Sequence, residues 1–179
     1  MQAPTPSDHK KILDDVSRIS TKLMIGDPSQ DIETEAFYGH FFTGLIKVIT
    51  FQTETLAIAY NKGLITLYIN PIFWEERLTN DPYKVGAVKH EILHIVFKHI
   101  FRYKGFSNKI IFNIAADLIV NQYVKPDHLI EGAILLDNFP ELSLKPHQDL
   151  HYYYNALMKF YQDQQKTPMQ KIRMNPGKT

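Results

Sequence analysis

Apolar residues recur at helical spacing near the start of the chain. This period predicts an amphipathic helix over residues 7–25, and its apolar positions are Ile12, Leu13, Val16, Ile19, Leu23 and Met24. The helix should end at Gly26-Asp27-Pro28-Ser29, because glycine and proline interrupt helices. Residues 37–51 are apolar and aromatic, and we expect a second core helix there.

The pattern then changes to β-prone residues on both sides of a short turn. Residues 56–60 and 64–69 flank Asn61-Lys62-Gly63, and a connection of this length with a glycine favours a β-hairpin. A short helix is expected over residues 72–78. Asp81 and Pro82 are typical of an N-cap followed by proline at the first helical position.

The helix that begins there is predicted to run to about Tyr103. It is apolar on most of its circumference, as expected of a central, buried helix. After a turn at residues 105–108, a further apolar helix is predicted over residues 110–124, and a final one from about Gln148 to Gln162. These elements predict a mostly helical α+β fold, in which a small sheet or hairpin packs on the central helix and on an antiparallel partner helix.

We expect residues 1–163 to form a single domain with its core at about 10–160. Residues 164–179 contain basic but no acidic residues and show no apolar period, which is typical of a disordered tail or a linker. The N-terminus lacks an apolar stretch of the signal-peptide type, and no uncharged run reaches the ~18 residues of a membrane span. A cytoplasmic protein without a membrane partner is the simplest expectation.

Composition limits the chemistry that the chain can perform. Lys+Arg is 20 and Asp+Glu is 19, so no global field favours nucleic acid as a partner. Cysteine is absent, which excludes a disulfide framework, a thiolate nucleophile and a cysteine-ligated metal. Eight histidines remain, and any transition-metal site must therefore use imidazole and carboxylate ligands.

The central helix contains the sequence His90-Glu91-Ile92-Leu93-His94. Two histidines four residues apart lie on one helical face, so both imidazoles can bind one ion. Glu91 can then act as general base on a metal-bound water, whose pKa the metal has lowered. The alternative is a pair of neutral histidines inside a core, but burying them with a glutamate is costly without a metal or other polar partners.

An open zinc site needs a third protein ligand. In an unbroken helix His99 would point about 140° away from His94, which argues against it as that ligand. Asp117 is the better candidate, because it and His94 lie almost equally far in sequence from the turn at Gly105 and would meet if the two helices pack antiparallel. Such an acid would be a ligand or would support one.

Two points remain open at this stage. Asp117 belongs to a polar stripe with Asn113 and Asn121, and this stripe could instead be a solvated helix face. The strand over residues 64–69 precedes the motif helix, as in zinc peptidases whose edge strand holds an extended peptide, but an internal position fits the sequence equally well.

On several ordered motifs the chain resembles a known family, the bacterial and phage putative metallopeptidase domain often found N-terminal to a von Willebrand factor A-like domain. The resemblance covers about residues 10–160, and its motifs are Asn70-Pro71-Ile72-Phe73, His90 to His94 with His99 and Arg102, Asn113-Ile114-Ala115-Ala116-Asp117 with Asn121, Gly132 to Asp137, and Tyr152-Tyr153-Tyr154. A departure is Lys98, which stands where the family commonly has a small residue.

The resemblance implies a zincin-like fold, one zinc ion held by His90, His94 and Asp117, and Glu91 as general base. It also implies a link to AAA+ ATPases of the MoxR type or to an A-like domain. The expected function is a zinc-dependent peptidase acting on a peptide or protein substrate. The alternative is a catalytically inactive zinc-binding interaction module that partners such an ATPase or A-like domain.

Overall fold

The computed structural model describes residues 6–173, with side chains described for residues 9–164. Within this range the chain divides into two compact units. The first contains the described residues up to 105 together with 123–133, and the second contains residues 106–122 and those from 134 onward. The assignment of residues 1–163 to a single domain stays a prediction.

The first unit combines helices with a three-stranded sheet. Its elements in chain order are α1 (Pro6–Ile25), α2 (Ala36–Gly44), β1 (Ile46–Ile49), β2 (Leu56–Asn61), β3 (Leu64–Ile69), a π-helical turn (Phe73–Arg77), α3 (Asp81–Val96) and α4 (His99–Arg102). Short 3₁₀ turns lie at Pro28–Gln30, Tyr103–Gly105 and Pro126–His128. The mostly helical content with one small sheet confirms the expected α+β class.

Helix α1 confirms the first amphipathic pattern. Its buried apolar side chains are Ile12, Val16, Ile19 and Leu23, which recur every three or four residues and so form one apolar face. The helix ends where predicted, because Gly26 adopts a φ of 79° that residues with a side chain rarely tolerate. Its amide donates to the Lys22 carbonyl at 2.8 Å and closes the last turn.

The hairpin is also confirmed. Strands β2 and β3 pair antiparallel, from Leu56 opposite Ile69 to Asn61 opposite Leu64. Lys62 and Gly63 form the turn with φ values of 49° and 85°. Two consecutive positive φ values are those of the type I′ turn, whose twist matches that of the flanking strands.

The predicted helix over residues 37–51 is wrong in its second half. Helix α2 ends at Gly44, and Ile46–Ile49 forms strand β1, which pairs parallel with β3. The β-branched Ile46, Val48 and Ile49 favour extended backbone, and β3 supplies the hydrogen bonds that a helix would otherwise form internally. The partner strand is distant in sequence, so the local apolar pattern did not reveal it.

The edge position considered for β3 is wrong as well. The strand order is β1-β3-β2, so β3 is central and pairs on both sides. Its backbone groups are therefore used within the sheet and cannot receive an extended peptide. The edge strands are β1 and β2, and of these β2 packs against α3 and α4.

One face of the sheet closes the core of the first unit. Alternate residues point to this face, and Ile49, Leu56, Leu67 and Ile69 are buried there. They belong to the same apolar cluster as the buried residues of α1 and as Val85, Val88 and Ile92 of α3. The cluster therefore fixes α3 through the side of the helix that carries no histidine.

Helix α3 begins one residue earlier than predicted. The N-cap is Asn80, whose side chain accepts a hydrogen bond from the Tyr83 amide at 2.8 Å, and Asp81 is the first helical residue. Two cations of α1 meet Asp81: Arg18 Nη1 lies 2.5 Å and Lys22 Nζ 2.6 Å from Asp81 Oδ2. These ion pairs connect the start of α3 to α1.

The Asp81 ion pairs should make stability depend on pH. The hydrogen bond from Arg18 holds the pKa of Asp81 well below its ordinary value. A carboxylate whose pKa is lower in the folded state stabilises the fold above its unfolded pKa of about 3.9, and this contribution is lost as the pH falls below that value. Asp81→Asn should lower the free energy of unfolding at pH 7 by about 1–2 kcal/mol.

The measurement is urea denaturation at pH 7 and pH 3. The difference between wild type and Asp81→Asn should shrink at the lower pH, because the carboxylate is then largely protonated in the unfolded chain while it stays ionised in the fold. Asp14→Asn, at an exposed carboxylate of α1, is the matched control and should leave stability unchanged. Equal stability of wild type and Asp81→Asn at pH 7 would contradict this account of the ion pairs.

Gly86 allows the backbone of the 3₁₀ turn Pro126–His128 to approach α3 closely. A Cβ atom at this position would lie 2.0 Å from the His128 carbonyl oxygen. Real Cβ atoms do not come so close to another heavy atom, so the turn must shift if any side chain is added. The glycine costs helix propensity, and this contact explains its place in the middle of α3.

Gly86→Ala should destabilise the protein by about 1–3 kcal/mol, because the turn cannot move away without disturbing buried neighbours. Thermal or urea unfolding measures the change. Gly44→Ala is the control, since no atom lies within 4 Å of the Cβ that would be added at Gly44. The account of this contact is wrong if Gly86→Ala is as stable as Gly44→Ala.

The second unit contains two longer helices. They are α5 (Lys109–Val120), followed by a 3₁₀ turn at Asn121–Tyr123, and α6 (Leu150–Arg173), with 3₁₀ turns at Leu136–Asn138 and Pro140–Leu142 between them. Asn108 caps α5 by accepting from the Ile111 amide at 3.1 Å. Tyr154 of α6 accepts from the Asn108 amide at 3.0 Å, so one phenol helps to hold the start of α5.

Helix α6 extends past the predicted end at Gln162. Its backbone is helical to Arg173, so helix occupies much of the segment that the sequence predicts as a tail. The remainder of that segment, 174–179, lies outside the described residues. Over residues 6–173, no helix combines the length and the apolar character needed to cross a bilayer.

Candidate metal centre

His90 and His94 lie on one face of α3, as the motif predicts. Their Nε2 atoms are 2.9 Å apart, and their rings meet edge to face with centroids 4.7 Å apart. Both side chains are half-buried. Ile92, Leu93 and Ile95 on the other sides of the helix are buried, so the orientation of the histidine pair is set by the packing of α3 itself.

Glu91 lies between the two histidines and is half-buried. Its place on α3 is that of the predicted general base in the sequence His90-Glu91-Ile92-Leu93-His94. Since the adjacent Ile92 is anchored in the apolar cluster, the backbone that carries Glu91 is held in place. A carboxylate on a rigid helix can act on a neighbouring water with little further loss of conformational entropy.

The helix that carries these residues breaks shortly after His94, which the sequence analysis did not anticipate. Helix α3 ends at Val96, and Lys98 adopts the left-handed conformation with φ 61° and ψ 25°. The Lys98 amide donates to the Ile95 carbonyl at 2.9 Å, so the last turn of α3 is tightened. A new helix, α4, then begins at His99. The predicted continuous helix to about Tyr103 is therefore wrong.

This break changes the position of His99. In an unbroken helix it would point away from His94, but here His99 Nδ1 lies 3.0 Å from His94 Nδ1. The His99 side chain is only 3% exposed, and its ring stacks on Phe97 with centroids 5.8 Å apart. The predicted orientation of His99, away from His94, is therefore wrong, because the helix is broken between them. That His99 is not a metal ligand stays a prediction.

No sequence signal marked the break. Glycine is the usual residue in the left-handed conformation, and a lysine there is uncommon. Residues 95–98 contain neither glycine nor proline. The link between His94 and His99 is therefore the part of this site that sequence reasoning missed.

The third predicted ligand, Asp117, lies on α5 and is half-buried. Its role as a metal ligand stays a prediction.

The polar residues at positions 113, 117 and 121 of the chain do not form a uniformly solvated face, which was the alternative left open by the sequence. Asn113 is exposed, but Asn121 is 6% exposed and its side chain donates to the Ile134 carbonyl at 2.9 Å. Burial thus increases from Asn113 through Asp117 to Asn121. Solvent exposure therefore falls along the stripe, and its last residue is part of the interior.

The donor set fits a divalent transition metal of the zinc type. Two imidazoles and one carboxylate are the ligands of many catalytic zinc sites, which keep a fourth position for water. Two nitrogens bound at about 2.0–2.1 Å in tetrahedral geometry are separated by roughly 3.3 Å. The 2.9 Å between the Nε2 atoms of His90 and His94 is within a small ring rotation of that value.

The family of the chain is shown by a match to a protein-family model. Residues 37–171 match the model described as putative metallopeptidase domain. The chain belongs to this family. The match spans nearly all of α2 through most of α6, and so it includes the histidine pair, Glu91 and Asp117. No curated protein and no solved structure matches the chain.

Membership of this family implies a metal-dependent peptidase as the broad class. It agrees with the resemblance that the ordered motifs indicated. The identity of the metal, its ligands and the pairing with an A-like domain stay predictions.

Metal analysis of single variants should test the ligand set. The wild type, dialysed against zinc and then against buffer, should retain one equivalent per chain. His94→Ala should lose it, because two remaining ligands hold zinc poorly, and Asp117→Ala should lose it if the carboxylate binds the ion directly. His40→Ala, at an exposed histidine of α2, is the matched control and should retain zinc.

The outcomes distinguish the possible roles. Zinc retained by Asp117→Ala but lost by His94→Ala would move Asp117 out of the ligand set. Zinc retained by both variants would contradict the site as a whole.

Proposed function

We propose that this protein is a zinc-dependent peptidase that uses His90, His94 and Asp117 as ligands and Glu91 as general base. The observation that carries the proposal is the pair of imidazoles facing each other on α3, in a chain of the metallopeptidase family whose sequence places Glu91 directly after His90. The resemblance of the motif from Asn113 to Asp117 to that of the family supports the assignment of Asp117 as third ligand. One zinc ion per chain is the cofactor that this donor set favours.

Bound there, zinc would supply an acidified water and a Lewis acid for the scissile carbonyl. The residues of the chain position the ion and transfer the proton. His90 and His94 are held by the packing of α3, so they would hold the ion at a fixed place on this helix. Glu91 takes the proton of the attacking water and delivers it to the leaving amine, which allows hydrolysis without a covalent enzyme intermediate.

Strand β2 is proposed as the place where an extended substrate pairs. It is an edge strand, and it packs against α3 and α4, the two helices that carry the histidines. Its outer backbone edge can add a further strand, whereas β3 is enclosed by its two neighbours. This assignment replaces the role that the sequence analysis considered for residues 64–69.

Replacing Glu91 by glutamine should separate binding from catalysis. Glu91→Gln keeps the size of the side chain and removes its basic oxygen, so zinc should stay bound while the hydrolysis rate falls by at least about 100-fold. Labelled casein and a library of quenched fluorescent peptides are the substrates, with zinc content measured on the same samples. Glu76→Gln, at an exposed glutamate before α3, is the matched control.

Two results would contradict the proposal in different ways. A Glu91→Gln variant that cleaves as fast as the wild type would remove Glu91 as general base. A zinc-loaded wild type without activity on either substrate set would instead favour the non-catalytic module, for which an AAA+ ATPase or an A-like domain is the proposed partner.

A further inference from the structure

His94 uses both of its ring nitrogens in different directions. Its Nε2 faces His90 Nε2 at 2.9 Å, on the side of the proposed metal. Its Nδ1 faces His99 Nδ1 at 3.0 Å. The ring is therefore held between two other imidazoles, one of which is a proposed ligand.

The proton count of a neutral imidazole assigns roles to these atoms. Each neutral ring has one N–H donor and one acceptor nitrogen. A metal-binding Nε2 must present its lone pair, so the proton of His94 is on Nδ1 and is donated to His99 Nδ1. His99 must then accept at Nδ1 and carry its own proton on Nε2.

We propose that His99 is a positioning residue that holds His94 in its metal-binding tautomer and ring orientation. This inference rests on the proposed function, because it gives His99 a role toward a zinc ion at His90 and His94. An acceptor on the distal nitrogen of a ligating histidine makes the ring a better ligand and limits its rotation. In this chain the acceptor is a histidine, where a carboxylate or a backbone carbonyl is usual.

Burial makes His99 suited to that role. Its side chain is 3% exposed, and its ring stacks on Phe97 with an interplanar angle of 26°. Phe97 in turn contacts the ring of Tyr123 at a centroid distance of 5.2 Å. A ring that is packed in this way cannot swing away from His94 without opening the surrounding contacts.

The helix break gives His99 its position. Lys98 in the left-handed conformation redirects the chain so that His99 approaches the same ring from the other side. The left-handed conformation is strained for a residue with a side chain, so the surrounding structure must hold Lys98 in it. The hydrogen bond between the two histidines is a contact that an unbroken helix would not allow.

A pair of variants at position 99 tests the inference. His99→Asn places an amide oxygen close to the Nδ1 position and keeps an acceptor, whereas His99→Leu has a similar size and no acceptor. Zinc affinity of the full chain, measured by chelator competition, should fall by about 10–100-fold in His99→Leu and much less in His99→Asn. With Co²⁺ in place of zinc, the visible absorption spectrum should change in His99→Leu and be largely restored in His99→Asn.

A second pair avoids any change at a buried residue, in case His99→Leu does not fold. Lys98→Gly favours the left-handed conformation, and Lys98→Val disfavours it strongly because valine is β-branched. Lys98→Val should lower zinc affinity in the same direction as His99→Leu, and Lys98→Gly should leave it unchanged. The exposed side chain of Lys98 makes this pair independent of core packing.

The results separate this inference from the proposed function. If the wild type binds no zinc, the proposed function itself fails. If the wild type binds zinc and both His99→Leu and Lys98→Val bind it equally well, only the role of His99 is overturned. Complete loss of zinc from His99→Leu at saturating zinc would also overturn it, because His99 would then be a ligand.

Discussion

Two imidazole nitrogens that face each other at 2.9 Å impose a strict condition on this protein. Neutral His90 and His94 cannot both present lone pairs at that distance unless a proton or a cation lies between them. Their packing on α3 limits ring rotation. Because both side chains are half-buried, water can form fewer hydrogen bonds with them. A metal ion satisfies both lone pairs at once. A proton shared in a hydrogen bond would also satisfy the pair, and the roles proposed for Glu91 and Asp117 apply to the arrangement with a metal ion.

The first unit is built so that α3 keeps this arrangement. Its apolar side packs with α1 and the sheet, while its start is tied to α1 through the ion pairs of Asp81. Gly86 lets the 3₁₀ turn Pro126–His128 approach the helix, and Lys98 ends it so that His99 can reach His94. The packing of α3, the 3₁₀ turn beside it and the helix break at Lys98 thus together determine where the imidazoles of this site lie. The rigid placement of α3 agrees with membership of a metallopeptidase family, because metal-dependent hydrolysis requires ligands with fixed positions.

Much of this could be predicted from the sequence where a local period or turn sufficed. The spacing of Ile12, Val16, Ile19 and Leu23 indicated α1, the Asn61-Lys62-Gly63 connection indicated the hairpin, and the spacing of His90 and His94 placed both on one face. Strand β1 was missed because its pairing partner β3 is remote in sequence. The position of His99 was missed because a lysine took a conformation that usually indicates glycine. These errors share a cause: tertiary contacts outweighed local propensity.

The central claim is that one zinc ion binds at the histidine pair of α3 with a carboxylate as third protein ligand. A crystal structure of the zinc-loaded protein, with anomalous scattering recorded at the zinc absorption edge, tests it most directly. The account predicts one strong anomalous peak per chain, in contact with Nε2 of His90, Nε2 of His94 and a carboxylate oxygen of Asp117. A peak at other side chains, or none at His90 and His94 under saturating zinc, would contradict it.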